Sequence, residues 1–162
     1  YTFIFISLSL VFNCYSLIKN HPYQYVFYNY FITNKNIRNF ELDYYGVSNL
    51  DILKKLSSLS DKEIYKIYVF SNNPYYLSLN MISENEKKNY QFVNNIEEAD
   101  FILTNHYYQD YYFKEKNYLT SNHPAFVEDY LNNKFDLLYE IKSNGVRINS
   151  IYTKKKWECV PR

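Results

Sequence analysis

The sequence predicts an α/β protein: the end of one transmembrane helix, followed by a small α/β domain with a mixed sheet and a C-terminal β-hairpin. Three observations support this fold class. An uncharged apolar run occupies residues 1–18, short apolar runs alternate with helical patterns between residues 48 and 105, and Asn144-Gly145 separates two strand-like runs. Alternating strands and helices favour parallel pairing, whereas Asn-Gly between two apolar runs is typical of a hairpin turn.

The opening run contains no charged side chain from Tyr1 to Ile18 and is rich in Phe, Ile, Leu and Val. A helix that crosses the hydrocarbon core needs about 20 apolar residues. Because the chain begins with Tyr rather than Met, we expect the end of a membrane helix whose start lies upstream. The run shows neither the basic region nor the small-residue cleavage site of a signal peptide. A buried core helix is the alternative, which the lack of regularly spaced polar positions disfavours.

The stretch after the apolar run is dense in tyrosine and predicts an interfacial aromatic connector over residues 20–47. Lys19 is the first charged residue, and Pro22 disfavours helical geometry at the residue before it. A tyrosine at the membrane interface places its ring beside lipid and its hydroxyl in water. The alternative is an aromatic segment that packs on the domain behind it, and the two interpretations are compatible.

The composition bounds the remaining chain to one domain. The chain has 162 residues, of which 47% are hydrophobic, so about 110–140 residues remain for a domain after the membrane run. The formal net charge of +1 gives no electrostatic argument for nucleic acid binding, and the presence of only 2 glycines disfavours a glycine-rich phosphate loop. We place the boundaries at residues 1–19 for the helix, 20–47 for the connector, 48–156 for an α/β domain and 157–162 for the tail.

A helix is predicted from Ser48 to Leu59. Ser48 is a suitable N-cap, and Asp51 three residues later completes a pattern that resembles a capping box. The leucines of this segment fall on one helical stripe, which predicts its buried face: Leu50, Leu53, Leu56 and Leu59.

Three strands and a second helix are predicted in the next part of the chain. The strands are short apolar runs at Lys66–Ser71, Tyr90–Val93 and Ala99–Asn105. Asn73-Pro74 suits a helix start, with Asn as cap and Pro at the first helical position, and we expect that helix to end near Glu84. This order of strand, helix and strand indicates parallel pairing.

The C-terminal part contains one more predicted helix, which Pro124 opens, and then the hairpin. Both central residues of a type I′ turn require positive φ angles, which Asn and Gly accept. With Ser143 paired to Val146, the register places Ile141 opposite Ile148, Leu137 opposite Tyr152 and Lys142 opposite Arg147. The last pair brings two positive charges together, which is acceptable at a solvated hairpin end.

No catalytic or cofactor motif stands out in the sequence. The three histidines, at positions 21, 106 and 123, have no spacing typical of a metal site. The acidic group of Glu97, Glu98 and Asp100 is interpreted as a solvated turn rather than as paired catalytic carboxylates. The loop Ser71–Pro74 follows the first strand, where α/β folds often bind ligands, but it offers no glycine for the close approach of a phosphate. We therefore expect no cofactor, no metal and no catalytic residue in this chain.

The stretch from Phe40 to Ser48 combines two carboxylates, two tyrosines and a glycine. In an extended strand, Glu41 and Asp43 would point to the same face. We interpret them as structural groups that cap the following helix or bind backbone amides. The alternative is that they face a polar lipid headgroup or the membrane domain.

Two motifs resemble the segment after the last membrane helix in bacterial multi-spanning glycosyltransferases of the dolichyl-phosphate-mannose–protein mannosyltransferase type (glycosyltransferase family 39). In that family the segment reads His-Pro-Tyr-x-Tyr-x-x-x-Asn, then a glycine-rich link, then Glu-x-Asp-Tyr-Trp-Gly. The matching residues here are His21, Pro22, Tyr23, Tyr25, Asn29, Glu41, Asp43, Tyr44 and Gly46. Residues 97–104 and the hairpin also resemble the family's soluble domain. Tyr45 replaces the Trp, and residues 32–39 replace the glycine-rich link, which weakens the inference of a family-specific contact.

The resemblance implies an enzyme that takes a sugar from a lipid-phosphate donor, with its catalytic acidic residue in an early extracytoplasmic loop upstream of this chain. The matched side chains are then candidates for docking the domain or facing a headgroup, not for catalysis. The expected partners are membrane lipid, the upstream membrane domain of the same protein and a polyprenyl-phosphate sugar donor. The expected location is the membrane, with the domain on its periplasmic side. A membrane-anchored interaction domain without catalysis and a nucleotide-binding α/β enzyme are the alternatives.

Overall fold

The structure is a computed structural model that describes residues 2–26, 43–59, 63–71, 73–106 and 130–155. It consists of an N-terminal helix and an α/β domain built on a five-stranded mixed sheet that ends in a β-hairpin, which confirms the predicted fold class. The main elements are α1 (Thr2–Lys19), α2 (Ser48–Leu59), β1 (Tyr65–Val69), α3 (Tyr75–Ser78), α4 (Glu84–Lys87), β2 (Tyr90–Phe92), β3 (Phe101–Thr104), β4 (Phe135–Ser143) and β5 (Val146–Lys154).

The sheet has the strand order β2-β1-β3-β5-β4. β1 pairs in parallel with β2 and β3, so that Ile67 lies beside Phe92 on one side and Phe101 on the other. β5 is antiparallel to both of its neighbours, β3 and β4. The predicted parallel pairing of the first three strands is therefore confirmed, and each of these strands begins and ends within about two residues of its predicted bounds. Parallel strands end at a common edge, which places the loops after β1, β2 and β3 side by side.

The hairpin turn is formed by Asn144 and Gly145, whose φ angles are 50° and 79°. The predicted pairs Ser143–Val146, Leu137–Tyr152 and Lys142–Arg147 are confirmed. The predicted pair of Ile141 with Ile148 is wrong, because Ile141 lies opposite Asn149. The register shifts between Ile141 and Lys142 and shifts back between Leu137 and Tyr139. An extra residue on one strand of a pair is a β-bulge, and here the shift places Asn149 in the interior.

Helix α2 has the predicted bounds, and its buried face differs slightly from the leucine stripe. Ile52, Leu53 and Leu56 are completely buried, whereas Leu59 is 38% exposed at the end of the helix. The predicted capping box between Ser48 and Asp51 is wrong, because both side chains bind elsewhere. Ser48 donates its hydroxyl to Asp43, and Asp51 accepts the hydroxyl of Tyr23.

The single helix predicted from Asn73 to Glu84 is also wrong. α3 ends after one turn, a 3-10 turn covers Leu79–Met81, and Ile82 is extended with φ −105° and ψ 150°. Ser83 then begins α4, because its hydroxyl accepts the backbone N–H of Glu86 at 3.4 Å. Ser-x-x-Glu is itself a capping-box pattern, so the sequence carried a signal for this second start.

The core lies on both faces of the sheet, as the alternation of side chains along a strand requires. In β1, Ile67 joins the cluster under α2, and Tyr68 joins the cluster on the opposite face. In β3, Leu103 lies in the cluster under α2 and Ile102 lies in the cluster on the opposite face. Complete burial of one such aliphatic side chain contributes roughly 1.5–3 kcal/mol, so the two clusters together hold the sheet between its layers.

Helix α1 covers the uncharged run, as predicted, and of its 18 residues Ser16 is the buried one. Its length and composition, with a mean hydropathy of 1.6, are sufficient to cross a membrane, and its side chains are almost all exposed. The core helix of a soluble protein would be mostly buried instead. The helix predicted at Pro124 lies outside the described residues except for its end, where residues 130–134 are helical.

Candidate functional site

The centre of the candidate site is the connector turn, which we define as residues 43–47, immediately before α2. Asp43 begins this turn and its side chain is completely buried. One carboxylate oxygen accepts the backbone N–H of Val47 at 3.0 Å and the hydroxyl of Tyr25, and the other accepts the hydroxyl of Ser48. Asp43 therefore satisfies a backbone amide at the start of α2 and places a negative charge at the positive end of the helix dipole.

The backbone of the connector turn is held by two asparagines from the carboxyl edge of the sheet. Asn73 follows β1, and its side-chain amide donates to the carbonyls of Asp43 and Tyr44 at 3.1 Å and 2.8 Å. Asn105 follows β3 and donates to the same Asp43 carbonyl at 3.0 Å. These three hydrogen bonds join the connector to the edge where the parallel strands end.

Gly46 is the residue that closes the connector turn. Its φ angle is +64°, which favours glycine, and its backbone N–H donates to the carbonyl of Asp43 at 3.0 Å. A Cβ atom at this position would lie 2.6 Å from the side-chain nitrogen of Asn49 and 3.0 Å from the side-chain oxygen of Asn73. The turn therefore needs glycine both for its backbone conformation and for the approach of two amide side chains.

A second layer of polar groups extends the site from α2 to β5. Asn149 is completely buried and donates to the Ser48 hydroxyl at 2.7 Å and to the side-chain oxygen of Asn49 at 3.0 Å. Its own side-chain oxygen accepts the hydroxyl of Tyr75 from α3 at 2.8 Å. Burying a polar group costs free energy unless the group is hydrogen-bonded. In this layer each side chain satisfies a donor or an acceptor of its neighbour.

Tyr23 and Tyr25 connect the residues after α1 to this site. Tyr23 is 9% exposed, lies in the hydrophobic core and donates its hydroxyl to the carboxylate of Asp51 in α2. Tyr25 donates to Asp43. Burial, followed by the hydrogen bond to a carboxylate, raises the pKa of both phenols. These tyrosines thus pack on the domain, the alternative that the sequence left open beside the lipid interface.

The structure brings together five of the eight candidate residues: Tyr23, Tyr25, Asp43, Gly46 and, through its backbone carbonyl, Tyr44. His21 is exposed, and its Nδ1 lies 2.8 Å from the side-chain nitrogen of Gln24. Tyr44 is 52% exposed and meets Tyr45 edge-on at 5.1 Å between ring centroids. Asn29 and Glu41 lie outside the described residues.

Sequence reasoning missed Asn73, Asn105 and Asn149 as members of the site. Asn is frequent throughout the chain, so no single asparagine stands out in the sequence. For Asn105 a signal existed, because it directly follows a strand whose four residues are all buried. A polar residue at the end of a fully buried strand requires an internal partner, and the sequence could have been searched for such positions.

The carboxylate of the connector turn is engaged in hydrogen bonds within the chain. A general base must reach the proton of a bound substrate, whereas the Asp43 carboxylate is buried and accepts three donors from its own chain. His106 is also buried, and its Nε2 lies 2.9 Å from the Ser150 hydroxyl. Within the described parts of the chain, no group of three His, Cys, Asp or Glu side chains is placed to hold a metal ion.

Comparisons with known proteins found no relative: no protein-family model, no curated protein and no solved structure matches the chain.

Proposed function

We propose that this chain is the last transmembrane helix and the C-terminal extracytoplasmic domain of a membrane glycosyltransferase that uses a lipid-linked sugar donor. In this proposal the domain has an accessory or acceptor-selecting role, and the catalytic acid lies upstream. Its partners are membrane lipid, the upstream membrane domain of the same protein and a polyprenyl-phosphate sugar. The described residues support the docking part of this proposal most directly.

The observation that carries the proposal is the way the connector is built into the domain. α1 ends at Lys19, and Tyr23, four positions later, already belongs to the hydrophobic core. Four residues span at most about 14 Å when fully extended. A domain attached so closely to α1 lies at the membrane surface if α1 crosses the bilayer, where it can cover a membrane active site or present an acceptor to it.

The exposed surface of α1 supports its assignment to the membrane. Asn13, the one strongly polar side chain between Thr2 and Ile18, donates to the carbonyl of Ser9 at 2.8 Å within the helix. A polar group that is paired inside the helix lowers the cost of its transfer into lipid. Large apolar side chains are exposed along the helix, which in water would be an extensive unfavourable surface.

The experiment expresses the complete reading frame and this chain alone in separate membrane preparations, each with and without residues 2–19. Transfer of labelled sugar from polyprenyl-phosphate hexoses to acceptor is measured. We expect transfer by the complete protein, none by this chain alone, and retention of this chain in membranes only when residues 2–19 are present. Transfer or donor hydrolysis by this chain alone, or equal solubility with and without α1, would contradict the proposal.

A membrane-anchored interaction domain without catalysis is the second candidate. The exposed pair of Tyr44 and Tyr45 favours it, because aromatic side chains are enriched at protein interfaces. The upstream sequence separates the two functions: many membrane helices before this chain favour the transferase, and none favours the interaction domain.

A further inference from the structure

A cavity of about 390 Å³ opens at the carboxyl edge of the sheet, above β1 and β2. Its lining includes Tyr68 from β1, Phe92 from β2, and Tyr75 and Tyr76 from α3. Ligands of open α/β sheets bind outside the carboxyl ends of the strands. The volume lies in the range of about 300–1,000 Å³ that is usual for small-molecule sites.

The described lining contains no charged side chain: it consists of Tyr68, Val69, Ser71, Tyr75, Tyr76, Phe92, Val93 and Asn94. A phosphate or carboxylate ligand would lack a counter-charge here. The loop from Ser71 to Pro74 contains no glycine, and α3 has only 4 residues, so neither provides the phosphate cradle of nucleotide-binding folds. These features favour an uncharged ligand.

The cavity combines aromatic rings with polar groups at its rim. Tyr68 and Tyr75 line the cavity and are buried, at 8% and 1% exposed. Tyr76 is 62% exposed, Asn94 is also exposed, and within the described residues neither side chain makes a hydrogen bond. Ser71 is occupied, since its hydroxyl donates to Asn105 and accepts the backbone N–H of Asn73 at 3.1 Å. The groups open to a ligand are therefore a phenol and a carboxamide beside aromatic faces.

We infer that this cavity is a binding site for one unit of a neutral carbohydrate. A sugar ring presents an apolar C–H face to an aromatic ring and hydroxyl groups to the Tyr76 hydroxyl and the Asn94 amide. The cavity volume of about 390 Å³ lies in the range usual for small-molecule sites. That the sugar belongs to the acceptor rests on the proposed function, whereas carbohydrate binding itself does not.

The test is a saturation-transfer NMR titration of the full chain in detergent micelles. The probes are the methyl glycosides of mannose, glucose, galactose and N-acetylglucosamine, with adenosine monophosphate as the charged comparison. At least one glycoside should bind with a Kd on the order of 1 mM, which is usual for a ligand of this size. Tyr76→Ala should weaken that binding by about tenfold, which corresponds to about 1.4 kcal/mol, and Asn94→Ala by several-fold.

Tyr45→Ala is the matched control, because Tyr45 is 76% exposed and does not line the cavity. Sugar binding should be unchanged in this variant. Tyr76 and Asn94 are both exposed, so their replacement should leave the melting temperature nearly unchanged. If Tyr76→Ala does destabilise the fold, Asn94→Ala alone decides the role of the cavity.

Three results would overturn the inference: no glycoside binds at about 20 mM, the nucleotide binds more tightly than every glycoside, or Asn94→Ala binds sugar as the unaltered chain does. Failure of the cavity and failure of the proposed function are distinguishable. Sugar transfer by the complete protein without sugar binding by this chain refutes only the cavity. Sugar binding without transfer refutes only the glycosyltransferase.

Discussion

Replacement of Asp43 by Asn is the most direct perturbation of the connector turn. The Asp43 carboxylate is completely buried and accepts the Tyr25 hydroxyl, the Val47 N–H and the Ser48 hydroxyl. The carboxamide of Asn keeps one acceptor oxygen, which can still serve Val47 and Tyr25. Its NH₂ group faces the Ser48 hydroxyl, which already accepts a hydrogen bond from Asn149 at 2.7 Å. The hydroxyl hydrogen of Ser48 then loses its acceptor.

The expected cost follows from that loss. A hydrogen bond to a charged group contributes about 1.5–3 kcal/mol, so Asp43→Asn should destabilise the fold by about this amount. In a domain of this size such a change lowers the melting temperature by about 5–10 °C. Thermal unfolding of the full chain in detergent, followed by circular dichroism, measures the shift. Equal melting temperatures for Asp43→Asn and the unaltered chain would refute the role assigned to this carboxylate.

Two further variants separate the hydrogen bonds from general effects of mutation. Tyr45→Phe removes an exposed hydroxyl of the same turn and should change the stability by less than about 0.5 kcal/mol. Tyr25→Phe combined with Asp43→Asn should be non-additive by on the order of 1 kcal/mol, because both changes remove parts of one contact. Full additivity would mean that the two side chains act independently.

The same variant also tests the proposed accessory role. In the complete protein, transfer activity per folded molecule should stay within a few-fold of the unaltered enzyme. A loss of about a thousandfold with stability intact would equal roughly 4 kcal/mol of transition-state stabilisation. That result would place catalysis in the connector turn and contradict a docking role.

The remaining predictions concern two turns and two titrating groups. Gly46→Ala should cost about 2–4 kcal/mol of stability, because φ is +64° and the new Cβ would lie 2.6 Å from the side-chain nitrogen of Asn49. Denaturant unfolding measures this cost. Gly145→Ala, at φ 79°, is the control for the cost of the positive φ angle without the close contact. Gly145→Val should cost about 1–3 kcal/mol, and an unchanged melting temperature would argue against the turn. Burial alone would raise the pKa of Glu140, but hydrogen bonds to Lys142 and Arg147 hold this pKa below its usual value. The Glu140 carboxylate therefore stabilises the fold above its unfolded pKa of about 4.3, and this stabilisation is lost as the pH falls through the folded pKa. Glu140→Gln should therefore be less stable than the unaltered chain at pH 7 and equal to it in strong acid; a constant difference in melting temperature at all pH values would contradict this. Burial raises the pKa of Tyr25, so the stabilisation by its protonated phenol is present below the unfolded pKa of about 10 and declines as the pH rises above that value. The stability of Tyr25→Phe should therefore fall less at alkaline pH than that of the unaltered chain. Parallel stability–pH curves for the two proteins would exclude this role of Tyr25.

Much of the fold could be predicted because its signals are local. Short apolar runs give β1, β2 and β3, and two residues, Asn144 and Gly145, specify the hairpin turn by their tolerance of positive φ. The second helix could not be placed from its start signal alone. Asn73 engages the connector turn instead of acting as a cap, and Ser83 starts a new helix before the first can extend.

The candidate site was only partly predictable because its bonds are long-range. Asp43 was identified from its neighbours in sequence, since it acts on Val47 and the start of α2. The bond from Asn105 to Asp43 joins residues 62 positions apart, and the bond from Asn149 to Ser48 joins residues 101 positions apart. The bulge that turns Asn149 inward leaves no mark in the alternation of β5, because consecutive residues of this strand are buried on both faces.

The strength with which the connector turn binds to the sheet edge can be estimated from the three hydrogen bonds that it accepts from Asn73 and Asn105. At a net 0.5–1.5 kcal/mol each, they contribute about 1.5–4.5 kcal/mol together, which leaves a detached fraction between roughly one in ten and one in two thousand. Outside the turn and α2, the Asp43 carboxylate also accepts the hydroxyl of Tyr25, and a hydrogen bond to a charged group adds to this attachment. Asp43 thus joins two attachments, because its backbone carbonyl accepts Asn73 and Asn105 and its carboxylate accepts Tyr25. Under the proposed function, this connection would hold the domain at a fixed distance from the bilayer.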